Sequence, residues 1–457
     1  MNTELYYNPD DTICAISTPQ GTGGVAIARV SGREAFDTVA RIWHGKDIDT
    51  MPSHTAHLGT IVNPDDGSAL DQVVLTVFRA PHSFTGDNVA EISMHGSRWI
   101  QRRMINALIA AGARLALPGE FTRRAFASGK MDLAEAEAVA DLIASSSAAA
   151  HRQALGQMRG KFSQHINDIR ARLVELASLL ELELDFSEED VEFASRDKLR
   201  TLADESARSL QSLADSFAAG KAIKDGIPVA IIGKTNVGKS SLLNALLGDD
   251  RAIISDIHGT TRDIVEDTAE AGPYLLRFKD TAGIRHSDDP VENMGIERSR
   301  RAAASADLVL LVLDATDATT QPDIEGIAPE RLIVVTNKSD VATPTQIDIP
   351  CAASVTVSAL TGSGIDELRR EIVRVLDTLM NVGTDNDIIV TNARHAQAFT
   401  AAAESLRAVL SGLNTALPAD LVAQDLREAI HHLSTVTGAI TTPEILSTIF
   451  THFCIGK

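Results

Sequence analysis

The sequence predicts a multidomain protein of mixed α+β and α/β class, with a β-rich N-terminal domain, a helical domain and an inserted P-loop domain whose sheet is mainly parallel. Three observations predict this class. A phosphate-loop motif follows a β-type run in mid-chain, short β-branched runs occupy the first part of the chain, and helical periodicity flanks the motif on both sides. A chain of 457 residues is also too long for a single hydrophobic core.

The N-terminal region has the pattern of short strands. Its β-branched runs are separated by Gly, Pro, Asp and Asn turns, and they cover residues 13–16, 25–30, 58–62, 73–78 and 89–93. A glycine-rich turn at residues 20–24 precedes the second run. Because the helix of a dinucleotide-binding fingerprint does not follow this turn, we predict no such site there.

A basic stretch begins where the predicted strands end. Between Arg98 and Lys130 there are seven basic residues and one acidic residue, in a chain whose net charge is -20. Two interpretations stay open, namely a solvated helix face and a site for an anionic ligand or a tRNA backbone. The overall negative charge argues against nucleic-acid binding by the whole surface, so any RNA contact needs a local patch or an associated subunit.

Helical periodicity predicts long helices before and after the P-loop domain, over residues 131–193, 198–219, 393–413, 420–437 and 443–450. Residues 220–226 and 381–387 have the composition of polar linkers. We therefore predict an N-terminal domain over 1–125, a helical domain over 126–220 and 382–457, and the P-loop domain over 221–381.

The motif at residues 233–240, GKTNVGKS, lies between a buried strand and an amphipathic helix. Gly233 and Gly238 allow a tight turn that directs backbone N–H groups towards phosphate oxygens, and the helix N-terminus adds partial positive charge. Lys239 is expected to reach the β- and γ-phosphates, and the Ser240 hydroxyl to bind Mg²⁺.

Later motifs narrow the nucleotide to GTP. Residues 259–263 offer threonines to Mg²⁺ and to the γ-phosphate, Asp280 is expected to hold Mg²⁺ through water, and the Gly283 N–H to contact the γ-phosphate. The Asp340 carboxylate can accept two N–H bonds from guanine, which adenine does not supply. Residues 358–360 are expected to close over the base. Together these motifs predict a GTPase domain.

The position after Gly283 is mechanistically unusual. Small regulatory GTPases place a water-orienting glutamine there, whereas this chain has Ile284. Glu292 is a candidate for that role, although a carboxylate favoured at a helix start by the dipole is an equally good interpretation from the residues alone.

The three cysteines, Cys14, Cys351 and Cys454, have no metal-ligand spacing, and no apolar run is long enough to span a bilayer. The first residues lack the pattern of a secretory signal. A reducing, cytoplasmic location is therefore expected.

The chain resembles the MnmE (TrmE) family of tRNA-modification GTPases. The resemblance depends most on the terminus Cys454-Ile455-Gly456-Lys457, and also on residues 18–24, 83–87, 118–121 and 184–190. The chain departs from the family pattern at Thr22, where arginine is more usual, and at residues 284–286.

This resemblance implies an N-terminal domain that binds tetrahydrofolate and forms a homodimer, together with a heterotetramer with the flavin-dependent protein MnmG. The pair would add an aminomethyl or carboxymethylaminomethyl group to C5 of the wobble uridine of tRNAs, with methylene-tetrahydrofolate as the one-carbon donor. K⁺ in place of an arginine would stimulate GTP hydrolysis. Cys454 is a candidate catalytic cysteine whose role stays open.

The motifs and the resemblance together assign the site residues. Glu292 is the catalytic candidate. Ser240 and Thr261 are expected to coordinate Mg²⁺. K⁺ is expected to be coordinated by Asn236, Ser255, Ile257 and Thr260. Folate contacts fall to Arg29, Glu91, Lys130 and Lys457. The residues expected to contact GTP are Asn236, Val237, Gly238, Lys239, Ser240, Ser241, Ser255, Gly259, Thr260, Thr261, Asp280, Thr281, Ala282, Gly283, Asn337, Lys338, Asp340, Ser358, Ala359 and Leu360.

Two other functions are compatible with a GTPase domain. One is a regulatory or ribosome-assembly switch that recruits partners without further chemistry. The other is a folate-binding scaffold with a residual GTPase domain, which the intact nucleotide motifs disfavour. The N-terminal glycine turns, Lys130 and the Cys454–Lys457 terminus favour tRNA modification, because a switch needs none of them.

Overall fold

The structure is a computed structural model that describes residues 7–185, 196–248, 267–278, 300–317, 324–343, 349–380, 388–415, 417–451 and 453–456. The chain divides into two units. One comprises residues 1–140, 157–176 and 430–457, and the other comprises residues 141–156 and 177–429. The domain boundaries given above stay a prediction. Within the described ranges, no helix is both long enough and apolar enough to cross a membrane.

The first unit is built on a seven-stranded sheet in the order β3-β4-β5-β6-β2-β1-β7. Its strands are β1 (Ile13–Ile16), β2 (Gly23–Ser31), β3 (Trp43–His44), β4 (Thr55–Val62), β5 (Ala69–Phe78), β6 (Val89–Gly96) and β7 (Arg114–Leu115). Neighbouring strands are antiparallel except β1 and β7, which are parallel. The predicted strands are confirmed, whereas the two-residue strands β3 and β7 are too short to leave a sequence pattern.

One face of this sheet is covered by α1 (Ala35–Ala40) and α2 (Arg98–Ala110). Strand residues that alternate along the pleat, such as Leu75 and Ile92, are fully buried, and Met104 and Leu108 of α2 are buried in the same core. This burial is the main stabilisation of the sheet, because apolar area removed from water contributes about 25 cal/mol per Å².

The helices that follow have the bounds α3 (Glu120–Ala127), α4 (Leu133–Ala144), α5 (Ala148–Met158), α6 (Lys161–Asp185), α7 (Arg196–Asp215) and α8 (Phe217–Asp225). The predicted linker over residues 220–226 is wrong, because α8 continues to Asp225. Ala222 and Ile223 are buried, so this segment packs as a helix despite its polar composition. A Cβ on Gly220 would lie 2.1 Å from the carbonyl oxygen of Val390. The glycine therefore lets the backbone at Val390 pack closely against α8.

The second unit contains a six-stranded sheet in the order β13-β12-β11-β8-β10-β9. Its strands are β8 (Ile227–Ile232), β9 (Asp267–Ala271), β10 (Tyr274–Phe278), β11 (Leu308–Asp314), β12 (Leu332–Asn337) and β13 (Ala353–Thr356). All neighbouring pairs are parallel except β9 and β10. The prediction of a mainly parallel sheet is confirmed.

The remaining helices are α9 (Lys239–Leu247), α10 (Ile365–Leu379), α11 (Ala393–Asn414), α12 (Ala419–Thr437) and α13 (Pro443–Thr451). Helix α7, which precedes the parallel sheet in sequence, packs along α11, which follows it. Arg200 donates from Nη2 to the carbonyl oxygen of Leu413 at 3.0 Å, and Arg407 donates from Nη2 to Gln211 Oε1 at 2.6 Å.

A buried carboxylate, Glu120, fixes the start of α3 against the first sheet. It is 1% exposed and accepts from Arg114 Nη2 at 2.6 Å, from Arg124 Nη2 at 3.2 Å and from the Leu117 amide at 2.8 Å. Burial alone would raise the pKa of Glu120, but the hydrogen bonds from Arg114 and the Leu117 amide outweigh it and hold the pKa below its usual value. Its contribution to stability is therefore present near neutral pH and is lost as the pH falls through the folded-state pKa.

We predict that Glu120→Ala lowers the free energy of unfolding of the N-terminal unit by about 3–5 kcal/mol, because it removes the buried carboxylate that pairs with the buried Arg124 and the partly buried Arg114. Both tryptophans, Trp43 and Trp99, lie in this unit, so tryptophan fluorescence during urea unfolding reports on it selectively. Glu34→Ala is the matched control, because Glu34 is exposed and makes no side-chain cap bond, and its effect should stay within about 0.5 kcal/mol. Equal effects of the two variants would contradict this role of Glu120.

Candidate functional site

The phosphate loop lies at the carboxyl edge of the parallel sheet. It leaves β8 at Ile232 and enters α9 at Lys239. Strands β11 and β12 are parallel to β8 and to each other, with Asp314 opposite Asn337 at their ends. The carboxyl ends of parallel strands form the usual ligand crevice of open α/β sheets, so the sheet topology gathers these loops at one edge.

The backbone of the loop requires its two glycines. Gly233 has φ +143°, and a Cβ there would lie 2.4 Å from the carbonyl oxygen of Val312. Gly238 has φ +93°, and a Cβ there would lie 2.2 Å from Asn337 Nδ2. Between them Asn236 adopts φ +66° and is exposed, a conformation that asparagine tolerates better than most residues. The glycines thus combine positive φ with close backbone approach, as a phosphate cradle needs.

The Lys239 side chain folds over the phosphate loop and binds its backbone. Its Nζ donates to the carbonyl oxygens of Gly233 at 2.7 Å and Lys234 at 2.6 Å. Burial lowers the pKa of the Lys239 ammonium. An anion placed beside this ammonium would offset its desolvation, so the position suits a phosphate.

The buried amide of Asn337 joins two loops. Its Nδ2 donates to the Val237 carbonyl oxygen at 2.9 Å, and its Oδ1 accepts from the Ala359 amide at 3.0 Å. Asn337 is 3% exposed. The side chain therefore links the phosphate loop to the loop after β13.

Asp340 and the loop after β13 lie side by side. Asp340 is exposed and accepts from the buried Ser358 hydroxyl at 2.5 Å through Oδ1. Ser358 Oγ in turn accepts from the Thr361 amide at 3.2 Å. Leu360, beside them, is 85% exposed. The Ser358 hydroxyl thus fixes the Asp340 carboxylate next to the exposed apolar side chain of Leu360. This arrangement suits a purine base with two N–H donors.

Asp314 was missed as a candidate by sequence reasoning. It ends β11 and forms an ion pair with Lys338 Nζ at 2.5 Å. Burial would raise the pKa of Asp314, but hydrogen bonds from Lys338 and Thr316 lower it below its usual value. The ion pair places the Lys338 side chain beside the strand end. In the sequence, Asp314 is visible only as a carboxylate at the end of an apolar run. That pattern is too common to identify Lys338 as its partner.

Several predicted residues lie outside the described residues, and their roles stay predictions. They comprise Ser255, Ile257, Gly259, Thr260, Thr261, Asp280, Thr281, Ala282, Gly283, Glu292 and Lys457. Of the proposed metal ligands, Asn236 at the loop tip and Ser240 in the first turn of α9 are described. Ser241 follows on the same turn. Among the described residues, no group of three or more His, Cys, Asp or Glu side chains could hold a metal ion.

A second candidate site lies in the first unit, around Arg29 and Glu91. These residues face each other on β2 and β6, and Arg29 Nε donates to Glu91 Oε1 at 2.9 Å. Arg29 Nη1 also donates to the Gly456 carbonyl oxygen at 3.3 Å, as does Ser17 Oγ at 3.3 Å. The structure therefore brings the C-terminal motif against Arg29, a predicted folate-contacting residue that also binds Glu91.

Backbone contacts hold the terminal segment in this place. Gly456 has φ +99°, and a Cβ there would lie 2.5 Å from the Ile16 carbonyl oxygen. The Gly119 amide donates to the Cys454 carbonyl oxygen at 3.5 Å, and Cys454 is an exposed free thiol. Lys130 lies beyond the end of α3, where its Cε would lie 3.8 Å from a Cβ on Gly86.

The chain is similar to solved structures of GTP-binding proteins and matches two protein-family models. The G domain of the T. maritima FeoB iron transporter is 26% identical and covers 33% of this chain and 98% of that chain, with a TM-score of 0.23. At so low a TM-score this likeness adds nothing to the assignment. A family model described as the GTP-binding protein TrmE N-terminus matches residues 12–130, and one described as the MnmE helical domain matches residues 133–454.

Two relatives are similar to the chain over nearly its whole length. A tRNA modification GTPase MnmE of Parabacteroides distasonis is 48% identical, covering 98% of this chain and 100% of the relative. One from Porphyromonas gingivalis is 47% identical, covering 98% of each. The chain therefore belongs to the MnmE (TrmE) family.

Proposed function

We propose that this chain is a GTP hydrolase which acts with a flavin-dependent partner, MnmG, to add an aminomethyl or carboxymethylaminomethyl group to C5 of the wobble uridine of tRNAs. Membership of the family supports GTP hydrolysis in tRNA modification. The observation that carries the finer proposal is the packing of the terminal Gly456 against Arg29 and Ser17. A GTP-dependent switch gives no reason for such a second site.

In the nucleotide site, we assign the phosphates to the loop amides and Lys239, and the guanine base to Asp340 and residues 358–360. Mg²⁺ would be held by Ser240 and Thr261, and K⁺ by Asn236 with Ser255, Ile257 and Thr260. The two cations would neutralise charge that develops on the phosphates. Asn236 has a left-handed backbone conformation and is exposed at the loop tip. These features support the assignment, because its side chain lies outside the protein core and can reach a cation. Glu292 would orient the attacking water.

In the N-terminal site, we assign a tetrahydrofolate derivative to Arg29, Glu91, Lys130 and Lys457. The donor set fits such a ligand, because Arg29 and Lys130 suit its carboxylates and Glu91 can accept from pterin N–H groups. Arg29 also lies over the Phe84 and Phe121 rings, with Cζ 5.7 and 5.6 Å from their centroids. When bound as the methylene form, the folate would supply the one-carbon unit. We further propose a cytoplasmic homodimer.

Mass analysis of tRNA nucleosides from cells that lack this chain tests the function. We expect wobble uridines without the C5 substituent, and restoration by the wild-type chain. Glu292→Ala should not restore them, while its GTP affinity stays within about twofold of wild type, because a water-orienting residue acts mainly on the hydrolysis step. The control Glu34→Ala should restore them. Intact wobble uridines in the deletion strain would contradict the proposal and favour the regulatory or ribosome-assembly switch.

Exchange of K⁺ for Na⁺ tests the cation assignment. We expect the GTP turnover number to fall by about tenfold or more at equal ionic strength, because loss of one charge-stabilising group at the phosphates typically costs that much or more. Asn236→Ala should be slow in both salts and lose the difference between them. Equal wild-type rates in K⁺ and Na⁺ would rule out the K⁺ site.

A further inference from the structure

The exposed side of α2 carries an unusual set of side chains. At 100° per residue, Arg98, Trp99, Arg102 and Arg103 fall within one arc of the helix, and all four are exposed. Met104, Ala107 and Leu108 form the opposite, buried side. Helix α2 contains no acidic residue, so all the charge on this arc is positive. Trp99 is the one aromatic residue of the helix, and the exposed Asn106 and Ile109 also lie on the arc.

The structure separates two groups of arginines within the basic stretch that begins at Arg98. Arg114 and Arg124 bind the buried Glu120 and serve the fold. By contrast, no carboxylate of the described part of the chain forms an ion pair with Arg98, Arg102 or Arg103. Three unneutralised guanidinium groups on one helix face stand out in a protein with a net charge of -20. They form a local positive patch of the kind that a polyanion needs.

Trp99 gives the patch a second property. The chain has two tryptophans, and Trp43 is only 7% exposed in the core, whereas Trp99 is 52% exposed. The Arg103 guanidinium lies over the Trp99 ring, with Cζ 5.6 Å from its centroid. Exposing an indole costs hydrophobic free energy. Unpaired bases in RNA complexes stack on aromatic rings and on arginine guanidinium planes, and this patch offers both groups side by side.

The glycine-rich turn at residues 20–24 adjoins the same face. Gln101, in α2, donates from Nε2 to the carbonyl oxygens of Gly21 at 3.0 Å and Gly96 at 3.2 Å. Thr22, Gly23 and Gly24 are exposed. The turn therefore places a backbone without bulky side chains beside the first turn of α2, where a phosphate chain can approach closely.

We propose that this face of α2 is an RNA-binding surface, on which Arg98, Arg102 and Arg103 contact the sugar-phosphate backbone and Trp99 stacks on an unpaired base. The inference rests on the proposed function, because it takes the RNA to be the tRNA substrate. Phosphates match unpaired guanidinium groups, and an unpaired base matches an exposed indole. An acidic protein surface would satisfy the arginines but leaves the exposed, arginine-stacked Trp99 unexplained.

The test is binding of unmodified tRNA by the purified full-length chain, followed by fluorescence anisotropy over a range of salt concentrations. The variant Arg98→Ala/Arg102→Ala/Arg103→Ala should reduce the slope of log affinity against log salt by about 2 to 3, since each phosphate contact contributes about 0.7–0.9. Trp99→Ala should weaken binding by about 5- to 100-fold with little change of slope. GTP hydrolysis without tRNA should be unchanged in both variants. Because α2 lies in the first unit, folding of that unit is checked by urea unfolding followed by tryptophan fluorescence, and both variants should unfold at the same urea concentration as wild type.

The matched control is Arg208→Ala/Arg374→Ala/Arg427→Ala. It removes the same charge from three exposed arginines that each pair with a carboxylate. We expect its slope to equal that of wild type. Equal slopes for both triple variants, or no tRNA binding by the wild-type chain at low salt, would overturn the inference.

Loss of binding to a purified acidic partner protein, with tRNA binding intact, would assign the patch to that partner and likewise overturn it. The mass analysis of tRNA nucleosides tests the proposed function independently of the tRNA-binding measurements. Modified wobble uridines in cells together with unchanged tRNA binding by the α2 variants would refute this inference alone.

Discussion

The buried side chain of Asn337 is the contact on which the candidate nucleotide site depends. A single amide donates to the phosphate loop at Val237 and accepts from the loop after β13 at Ala359. The bond to Val237 is buried and the bond from Ala359 is partly buried. Losing the buried one leaves an unpaired polar group, which costs about 1–3 kcal/mol. Gly238 has no room for a Cβ because Asn337 lies directly beneath it. The glycine and the asparagine therefore form one unit of structure, although they are far apart in sequence.

The first unit uses the same means, close backbone approach, to hold the chain terminus. Gly456 packs on the carbonyl oxygen of Ile16, and its own carbonyl oxygen accepts from Arg29 and Ser17. Gly119 lies against Phe450 and Phe453, and the Glu120 ion pairs fix its position next to β7. The buried charge network thus does more than stabilise α3, because it also fixes the surface that receives the terminal motif.

The sequence predicts those features that depend on local patterns. Strands such as Ile13–Ile16 and Val89–Gly96 were recognisable from β-branched runs between turns, and the phosphate loop from its glycines and its position between strand and helix. Features that depend on partners distant in sequence were not predictable. The Lys338–Asp314 pair and the Asn337 bridge each join separate strand ends. The polar composition of residues 220–226 predicts a linker, whereas the structure continues α8 to Asp225 and Gly220 makes room there for Val390. For the basic stretch, charge alone could not separate the arginines that pair with Glu120 from those that stay exposed on α2.

We infer that Asn337 holds the phosphate loop in its observed conformation through the bond to Val237. Amide hydrogen exchange over residues 233–240, compared between wild type and Asn337→Ala, tests it most directly. We expect exchange about 10- to 100-fold faster in the variant, because a lost buried hydrogen bond costs about 1–3 kcal/mol. Asp340→Ala, which leaves the bridge intact, should exchange as wild type does. Unchanged exchange in Asn337→Ala would contradict the claim.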